Sequence, residues 1–191
     1  MQHRFERAED WARVFDDPAR DAWQKPDQVV ELLKLFRTDR VVDLGAGTGY
    51  FAARIARRLP EGVVFAADVE PDMVRYLRER ATREGLSNLR PVLAKPDEVP
   101  LDAPVDLVLV VDTYHHLADR AGYFRRLGKQ LRPGGRVAVI DFTKESPEGP
   151  PPEHRLTPAQ VEAEMREAGY QLEARHDVLP RQYFLVFRRA P

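Results

Sequence analysis

The sequence contains no cysteine among its 191 residues. A thiol nucleophile, a thiolate metal site and a disulfide framework are therefore excluded together. Any nucleophile, general base or metal ligand has to come from other side chains.

Long apolar runs and a large charge excess are also missing. No stretch approaches the ~20 apolar residues that span a bilayer, and the first 17 residues are charged, without the apolar core of a secretory signal. The formal net charge is -1, so nothing predicts broad binding to nucleic acid or to an anionic membrane. We expect a soluble, cytoplasmic protein with neither of these as a partner.

The composition that is present fits one globular domain with a sizeable core, since 43% of the residues are hydrophobic and 32% are charged. Helical spacing is found in 6–15, 26–36, 49–59, 71–85, 119–135 and 157–169. Short apolar runs typical of buried strands occupy 40–45, 62–68, 89–94, 105–112 and 136–142.

Particular residues support these segments. Trp11, Val14 and Phe15 are predicted to share one side of the first helix, and Phe51, Ile55 and Leu59 are spaced for burial. Thr157 is predicted to cap the last helix.

The alternation of strands and helices predicts an α/β fold with a doubly wound, mostly parallel sheet. Residues 170–190 read as two strands around Leu179 and Pro180, and their close spacing predicts an antiparallel hairpin at the C-terminal edge. In such sheets ligands bind where the parallel strands end, at the switch point.

A glycine-rich loop, Gly45-Ala46-Gly47-Thr48-Gly49, follows the first strand. A dinucleotide-binding loop has a small residue at the sixth position, where this chain has the bulky Tyr50. The phosphate-binding pattern G-x-x-x-x-G-K-[ST] is absent. The loop therefore disfavours both nicotinamide dinucleotides and nucleoside triphosphates.

The chain resembles the class I S-adenosylmethionine-dependent methyltransferases. The matching stretches are "VVDLGAGTGYFA", "VFAADVEPDMVRYL", "VDLVLVVDTYHHL" and "LRPGGRVAVIDF". The resemblance implies a seven-stranded, Rossmann-like sheet, S-adenosylmethionine as cofactor and S-adenosylhomocysteine as product. It further implies in-line methyl transfer, with a small-molecule acceptor as the default.

The resemblance also assigns roles around the loop. Gly45, Ala46 and Gly47 are expected to line the methionyl group, and Asp43 to position its amino group. Asp68, with Val69 next to it, is expected at the ribose, where a carboxylate can accept both hydroxyls. The alternative for Asp68 is an ordinary helix-capping or turn residue.

The adenine side departs from the family pattern. Lys95 stands where the family commonly has an acidic residue, and an ammonium group cannot accept a hydrogen bond from the adenine amine. Either Asp97 takes this part, or the backbone at Lys95 and Pro96 does. An ordinary surface loop is the alternative.

Two further segments are placed near the cofactor. Trp23 and Gln24 are expected to close over the methionyl end, with core packing of Trp23 as the alternative. Asp112, after the fourth strand, is expected near the methionyl or adenosyl group.

Proton-handling groups follow the fourth and fifth strands. His115 and His116 point in different directions, so at most one is expected to face the acceptor as a general base. Asp141 is the second catalytic candidate. The alternatives are histidines that cap or pack beneath the next helix and an aspartate satisfied within a turn.

A metal site would need His115, His116, Asp141, Glu153 and His154 to converge, and no local ligand spacing supports one. We predict none.

The predicted organisation is a single domain, residues 1–191. Residues 1–39 form a helical cap, 40–142 the cofactor-binding core, 143–158 a proline-rich loop, and 159–191 the last helix and hairpin. The loop is either a lid carrying Glu153, His154 and Arg155 or a stiff connector.

Three functional alternatives stay open: a cofactor-binding protein of the same fold without transferase activity, a protein or peptide methyltransferase, and, more distantly, a dehydrogenase. A monomer or homodimer is expected.

Overall fold

A computed structural model describes residues 7–190; residues 1–6 and 191 lie outside the described part, including the predicted start of the first helix at Glu6. One seven-stranded sheet has the order β3-β2-β1-β4-β5-β7-β6. The strands are β1 (Arg40–Leu44), β2 (Val63–Asp68), β3 (Leu89–Leu93), β4 (Val105–Val111), β5 (Leu131–Phe142), β6 (Tyr170–His176) and β7 (Gln182–Arg189). The helices are α1 (Ala8–Phe15), α2 (Asp21–Gln24), α3 (Pro26–Leu32), α4 (Tyr50–Arg58), α5 (Pro71–Arg83), α6 (Arg120–Leu127) and α7 (Pro158–Glu167).

The predicted fold class is confirmed. β1 to β5 are parallel, and β7 pairs antiparallel with both β5 and β6. Every residue of β2 is buried, as expected for a strand covered on both faces. The sheet therefore presents the ends of β1, β2, β4 and β5 along a common edge.

Helices cover both faces of the sheet. One apolar cluster joins a face of the sheet to α3, α4 and α5, and the other joins the opposite face to α6 and α7. The three helix residues predicted to be buried, Phe51, Ile55 and Leu59, are 3%, 0% and 0% exposed. Thr157 caps α7 as predicted, within a reciprocal capping box with Gln160.

Several predicted element boundaries are wrong. The helix predicted over 119–135 ends at Leu127, followed by a 3₁₀ turn at Gly128–Gln130, and β5 already begins at Leu131. Pairing of Leu131 with Val105, before a register shift, draws the Pro133-Gly134-Gly135 stretch into the strand. The helix predicted over 26–36 ends at Leu32.

The first helix also differs from its predicted apolar face. Val14 is 61% exposed, whereas Trp11 and Phe15 are half-buried and their rings stack with centroids 5.4 Å apart. The face turned towards the molecule is therefore defined by the aromatic pair.

The proline-rich segment is organised around Arg155, which is only 6% exposed. Its guanidinium donates to the carbonyls of Pro150 at 2.7 Å, Thr143 at 3.1 Å, Lys144 at 3.0 Å and Ser146 at 2.6 Å. A buried cation bound to four carbonyls ties the segment to itself, which favours the stiff connector over the lid.

Candidate cofactor and active site

The glycine loop makes a sharp turn between β1 and α4. Gly45, Gly47 and Gly49 have φ values of 73°, 54° and 91°, a region that glycine enters without steric cost. A Cβ on Gly45 would lie 2.2 Å from the Thr113 hydroxyl oxygen. Gly45 is therefore required for close approach of the segment that follows β4, whatever else lies near the loop.

Asp68 joins the end of β2 to the loop. Its carboxylate accepts the Gly47 N–H at 2.8 Å and the Glu70 N–H at 3.0 Å. Burial, the main cause, raises the pKa of Asp68. A carboxylate has about four acceptor positions, so two hydroxyl groups of a ligand can still be bound here.

Asp43 lies inside β1 and is 3% exposed. Its carboxylate accepts the backbone N–H of Ala52 in the first turn of α4. Burial raises the pKa of Asp43 to about 7, against a smaller lowering by this hydrogen bond and by the charge of Arg20. Such a carboxylate favours a cationic partner.

Asp112 follows β4 in the left-handed region, with φ of 52°. It accepts a hydrogen bond from Gln24 Nε2 at 3.1 Å and another from Gln182 Nε2, and Arg20 Nη2 lies 3.5 Å from its Oδ2. Burial raises the pKa of Asp112 to about 7, while Arg20 opposes this shift. The buried Gln24 and Gln182 and the partly exposed Arg20 and Asp112 thus form a polar cluster that connects α2, β4 and β7.

His115 and Asp141 form a buried pair. His115 Nδ1 lies 3.0 and 2.8 Å from the two Asp141 carboxylate oxygens, and the side chains are 6% and 4% exposed. Asp141 also accepts the Phe142 N–H at 2.8 Å. The carboxylate holds Nδ1, fixes the ring orientation and directs Nε2 away from the pair.

The two histidines differ in their exposure to solvent. The His116 ring lies 4.1 Å from the His115 ring, centroid to centroid, but His116 is exposed and His115 is not. His115 is the one held by a carboxylate.

The adenine-side residues form an exposed tight turn. Lys95 N–H donates to the Glu98 carbonyl at 2.8 Å, and Lys95 Nζ pairs with the Glu98 carboxylate at 3.0 Å. Pro96 and Asp97 are exposed. Val69 is 48% exposed and so offers apolar surface beside Asp68. The choice between Asp97 and the backbone therefore stays a prediction.

Trp23 and Gln24 in α2 differ in burial and in their contacts. The Trp23 ring is half-buried, with its centroid 6.0 Å from that of Phe142, and Arg181 lies over it at 5.4 Å. Gln24 is fully buried and donates to Gln182 Oε1 at 3.0 Å as well as to Asp112. Gln24 therefore reaches the edge of the sheet where the candidate site lies.

The sequence did not single out Arg20, Gln182 or Tyr183 as site residues. Tyr183 is 7% exposed, lies opposite Asp141 in the β5–β7 register, and its hydroxyl makes no hydrogen bond with the described residues. Burial is the main cause of its strongly raised pKa. These residues meet only through long-range pairing, which no local pattern reveals.

Similarity to known proteins agrees with this geometry. Residues 41–135 match the family model described as "Methyltransferase domain". A SAM-dependent methyltransferase from Aquifex aeolicus is 26% identical, with a TM-score of 0.88 over 93% of this chain and 96% of that chain. The chain belongs to the class I S-adenosylmethionine-dependent methyltransferases. S-adenosylmethionine is the methyl donor of this family, and S-adenosylhomocysteine is what remains of it after transfer.

Two further relatives define the limits of this similarity. The ubiquinone/menaquinone biosynthesis C-methyltransferase UbiE of Proteus mirabilis is 32% identical over 118 residues, which are 60% of this chain and 47% of the relative. The chain therefore spans about half the length of the curated relatives it matches. The [4+2]-cyclase SpnF is 19% identical, with a TM-score of 0.77 over 87% of this chain and 80% of that chain. That likeness shows the fold alone.

The buried carboxylates fit the family's cofactor. S-adenosylmethionine carries a sulfonium and an ammonium, and Asp43 and Asp112, whose pKa values are both raised to about 7, gain from nearby positive charge. Asp68 keeps acceptor positions for two hydroxyls.

Residues 7–190 contain neither a cluster of metal-ligating side chains nor a membrane-spanning helix. No three His, Asp or Glu side chains there are grouped to hold a metal ion, and Glu153 and His154 lie on an exposed turn. No helix in that range is long and apolar enough to cross a bilayer.

Proposed function

We propose that the chain transfers a methyl group from S-adenosylmethionine to a small-molecule acceptor by in-line displacement. The observation that carries this is the set of carboxylates around the glycine loop, the buried Asp43 and Asp68 and the partly exposed Asp112, beside the His115–Asp141 pair. The carboxylates suit a cationic donor. The pair suits removal of a proton.

The cofactor-binding roles follow from these positions. Asp68 binds the ribose hydroxyls, Asp43 holds the methionyl ammonium, and the loop backbone at Gly45 to Gly47 lines the methionyl chain. Val69 and the Lys95–Asp97 turn lie on the adenine side. Gln24 and Asp112 form the wall next to the methionyl end, and Trp23 covers it.

The donor supplies an already activated methyl group. The chain therefore has to align the acceptor about 3 Å from that methyl, exclude water and remove a proton where one must leave. His115 is the base, through Nε2, and Asp141 stabilises the imidazolium that forms. His116 is left at the surface.

The acceptor is proposed to carry an acidic proton. Loss of a phenolic or enolic proton makes either the oxygen or an adjacent carbon nucleophilic, and a histidine base serves both. The UbiE relative is named for carbon methylation, so electron-rich hydroxylated rings are the first acceptors to test. Cytoplasmic location, a monomeric or homodimeric state and the lack of a nucleic-acid partner stay predictions.

The first test is calorimetric titration of the purified protein with S-adenosylhomocysteine, with NADH as the control ligand. We expect micromolar binding of S-adenosylhomocysteine alone. Asp68→Asn should weaken it by about 10- to 100-fold, the scale of lost charged hydrogen bonds. An unchanged affinity would remove the ribose role, and failure of the folded wild-type protein to bind would remove the proposed function.

A second candidate is cofactor binding without transfer. The likeness to the [4+2]-cyclase SpnF favours this candidate, because it shows that the fold also occurs in a protein with an activity other than methyl transfer. A screen of hydroxylated aromatic acceptors with radiolabelled donor separates the two: binding without labelled product supports the second.

A further inference from the structure

The structure raises a question of charge at the proposed cofactor site, and the inference rests on the proposed function. The methionyl end carries a carboxylate as well as an ammonium. The ionisable residues described above around the loop, Asp43, Asp68 and Asp112, are acidic and would repel that carboxylate. A cation beside these acids would offset that repulsion.

Arg20 is positioned to supply it. It ends a 3₁₀ turn at Pro18–Arg20, and its side chain is 15% exposed. Its Nη2 lies 3.5 Å from Asp112 Oδ2, and its charge lowers the pKa of both Asp43 and Asp112.

The guanidinium is held in place by three contacts. Nη1 donates to the Phe15 carbonyl at 2.8 Å, Nε donates to Gln24 Oε1, and the group lies 4.2 Å from the centre of the Tyr50 ring. Tyr50 is the first residue after the glycine loop. A stacked, hydrogen-bonded guanidinium is pre-organised for a carboxylate.

The Nη2 group of the guanidinium makes a long, weak contact. Nη2 lies 3.5 Å from Asp112 Oδ2, which is longer than a charged hydrogen bond of about 2.7–2.9 Å. Asp112 keeps its hydrogen bonds from Gln24 and Gln182 without this contact.

We propose that Arg20 binds the methionyl carboxylate of the cofactor through its Nη2 arm, which otherwise faces Asp112. Arg20 would therefore bind S-adenosylhomocysteine more tightly than its decarboxylated analogue, which lacks this carboxylate.

Arg54 is a matched control. It lies over the same Tyr50 ring, at 4.1 Å, but it pairs with Asp21 at 3.1 Å rather than with Asp112. Loss of either arginine removes one cation from Tyr50, and only loss of Arg20 removes the cation beside the site.

The test measures calorimetric affinities for S-adenosylhomocysteine and for decarboxylated S-adenosylhomocysteine in wild type, Arg20→Gln and Arg54→Gln. We expect wild type and Arg54→Gln to prefer the carboxylated ligand by about 10- to 100-fold. Arg20→Gln should lose that preference by losing affinity for S-adenosylhomocysteine. Comparing two ligands in the same variant cancels any change in folded fraction.

The outcomes separate this inference from the proposed function. An Arg20→Gln preference equal to that of wild type overturns the inference alone, as does a wild type that binds both ligands equally. A wild type that binds neither ligand overturns the proposed function with it. If Arg20→Gln does not fold, Arg20→Lys, which keeps the charge but not the planar fork, should show an intermediate preference, and an unchanged preference there overturns the inference.

Discussion

Loss of contact with water raises the pKa values of several acidic residues at this site. The pKa values of Asp43 and Asp112 are raised to about 7, mainly by desolvation, although the Asp112 side chain is still 21% exposed. The carboxylate of Asp141 is instead paired with His115. Asp43 and Asp112 therefore suit ligand charge, and Asp141, paired with a histidine, suits proton transfer.

Asp43 should make the binding of S-adenosylhomocysteine depend on pH. Asp43 titrates near 7 when folded and near 3.8 when free of the fold. The folded state therefore holds the extra proton in this interval, and the free energy of unfolding falls as pH rises through it. A cationic ligand lowers the folded pKa, so binding at pH 6 should release protons and strengthen towards pH 8.

Calorimetry of S-adenosylhomocysteine binding at pH 6, in buffers of different ionisation enthalpy, counts the released protons. Asp43→Asn should release fewer than wild type, with the remainder coming from Asp112. Equal proton release by both proteins would show that Asp43 is not coupled to the ligand.

The second residue-scale prediction separates the histidines. His115→Gln should lower turnover by about 10²- to 10⁴-fold, the usual contribution of a general base, and leave S-adenosylhomocysteine affinity unchanged. His116→Gln is the control, since His116 is exposed, and it should retain turnover. Steady-state kinetics with an identified acceptor checks both, and equal losses in the two variants would contradict the assignment.

Among the elements of the fold, the connector around Arg155 is held together by its own hydrogen bonds. Its buried guanidinium holds four carbonyls, and Lys144 Nζ holds the Pro152 carbonyl at 2.8 Å. The proline content of 143–158 indicated stiffness, but nothing local indicated that an arginine would be the centre of the segment.

Arg155→Met should therefore cost about 2–4 kcal/mol of unfolding free energy, because it leaves buried carbonyls without donors. Urea denaturation measures the loss, and hydrogen exchange should rise in 143–157. Glu148→Gln, which removes only the half-exposed pair with Arg181, should change stability by less than about 0.5 kcal/mol. A similar small effect for Arg155→Met would mean that the carbonyls find other donors.

Elements were predictable where the signal is local. The strand ending in Asp68 and the capped helix after Thr157 follow from apolar runs and cap chemistry. The start of β5 does not, because Leu131 joins the sheet through pairing with Val105. Likewise Gln24 meets Gln182 across 158 positions of sequence, so the polar cluster depends on strand order.

At the scale of the whole molecule, stability rests on two apolar layers across one sheet. β7 is inserted between β5 and β6, and its Phe184 is fully buried in one of those layers. Phe36, by contrast, is 75% exposed.

Phe184→Ala should cost about 3–5 kcal/mol of unfolding free energy, the range for a buried phenylalanine. Phe36→Ala should stay within about 0.5 kcal/mol. Urea denaturation of both variants checks the pair, and equal costs would mean that β7 is not tightly packed in solution.

The strand order has a consequence for biosynthesis. β6 is made before β7, yet β7 lies between β6 and β5 in the finished sheet. Until β7 has been synthesised, β6 has no native partner and the edge of β5 stays open. A nascent chain at that stage can pair β6 with β5 directly, and such a chain must come apart before the last strand can enter. At this edge the strands are therefore synthesised in a different order from the one in which they lie in the sheet. A translational pause after β6 would give the non-native β5–β6 pairing more time to form.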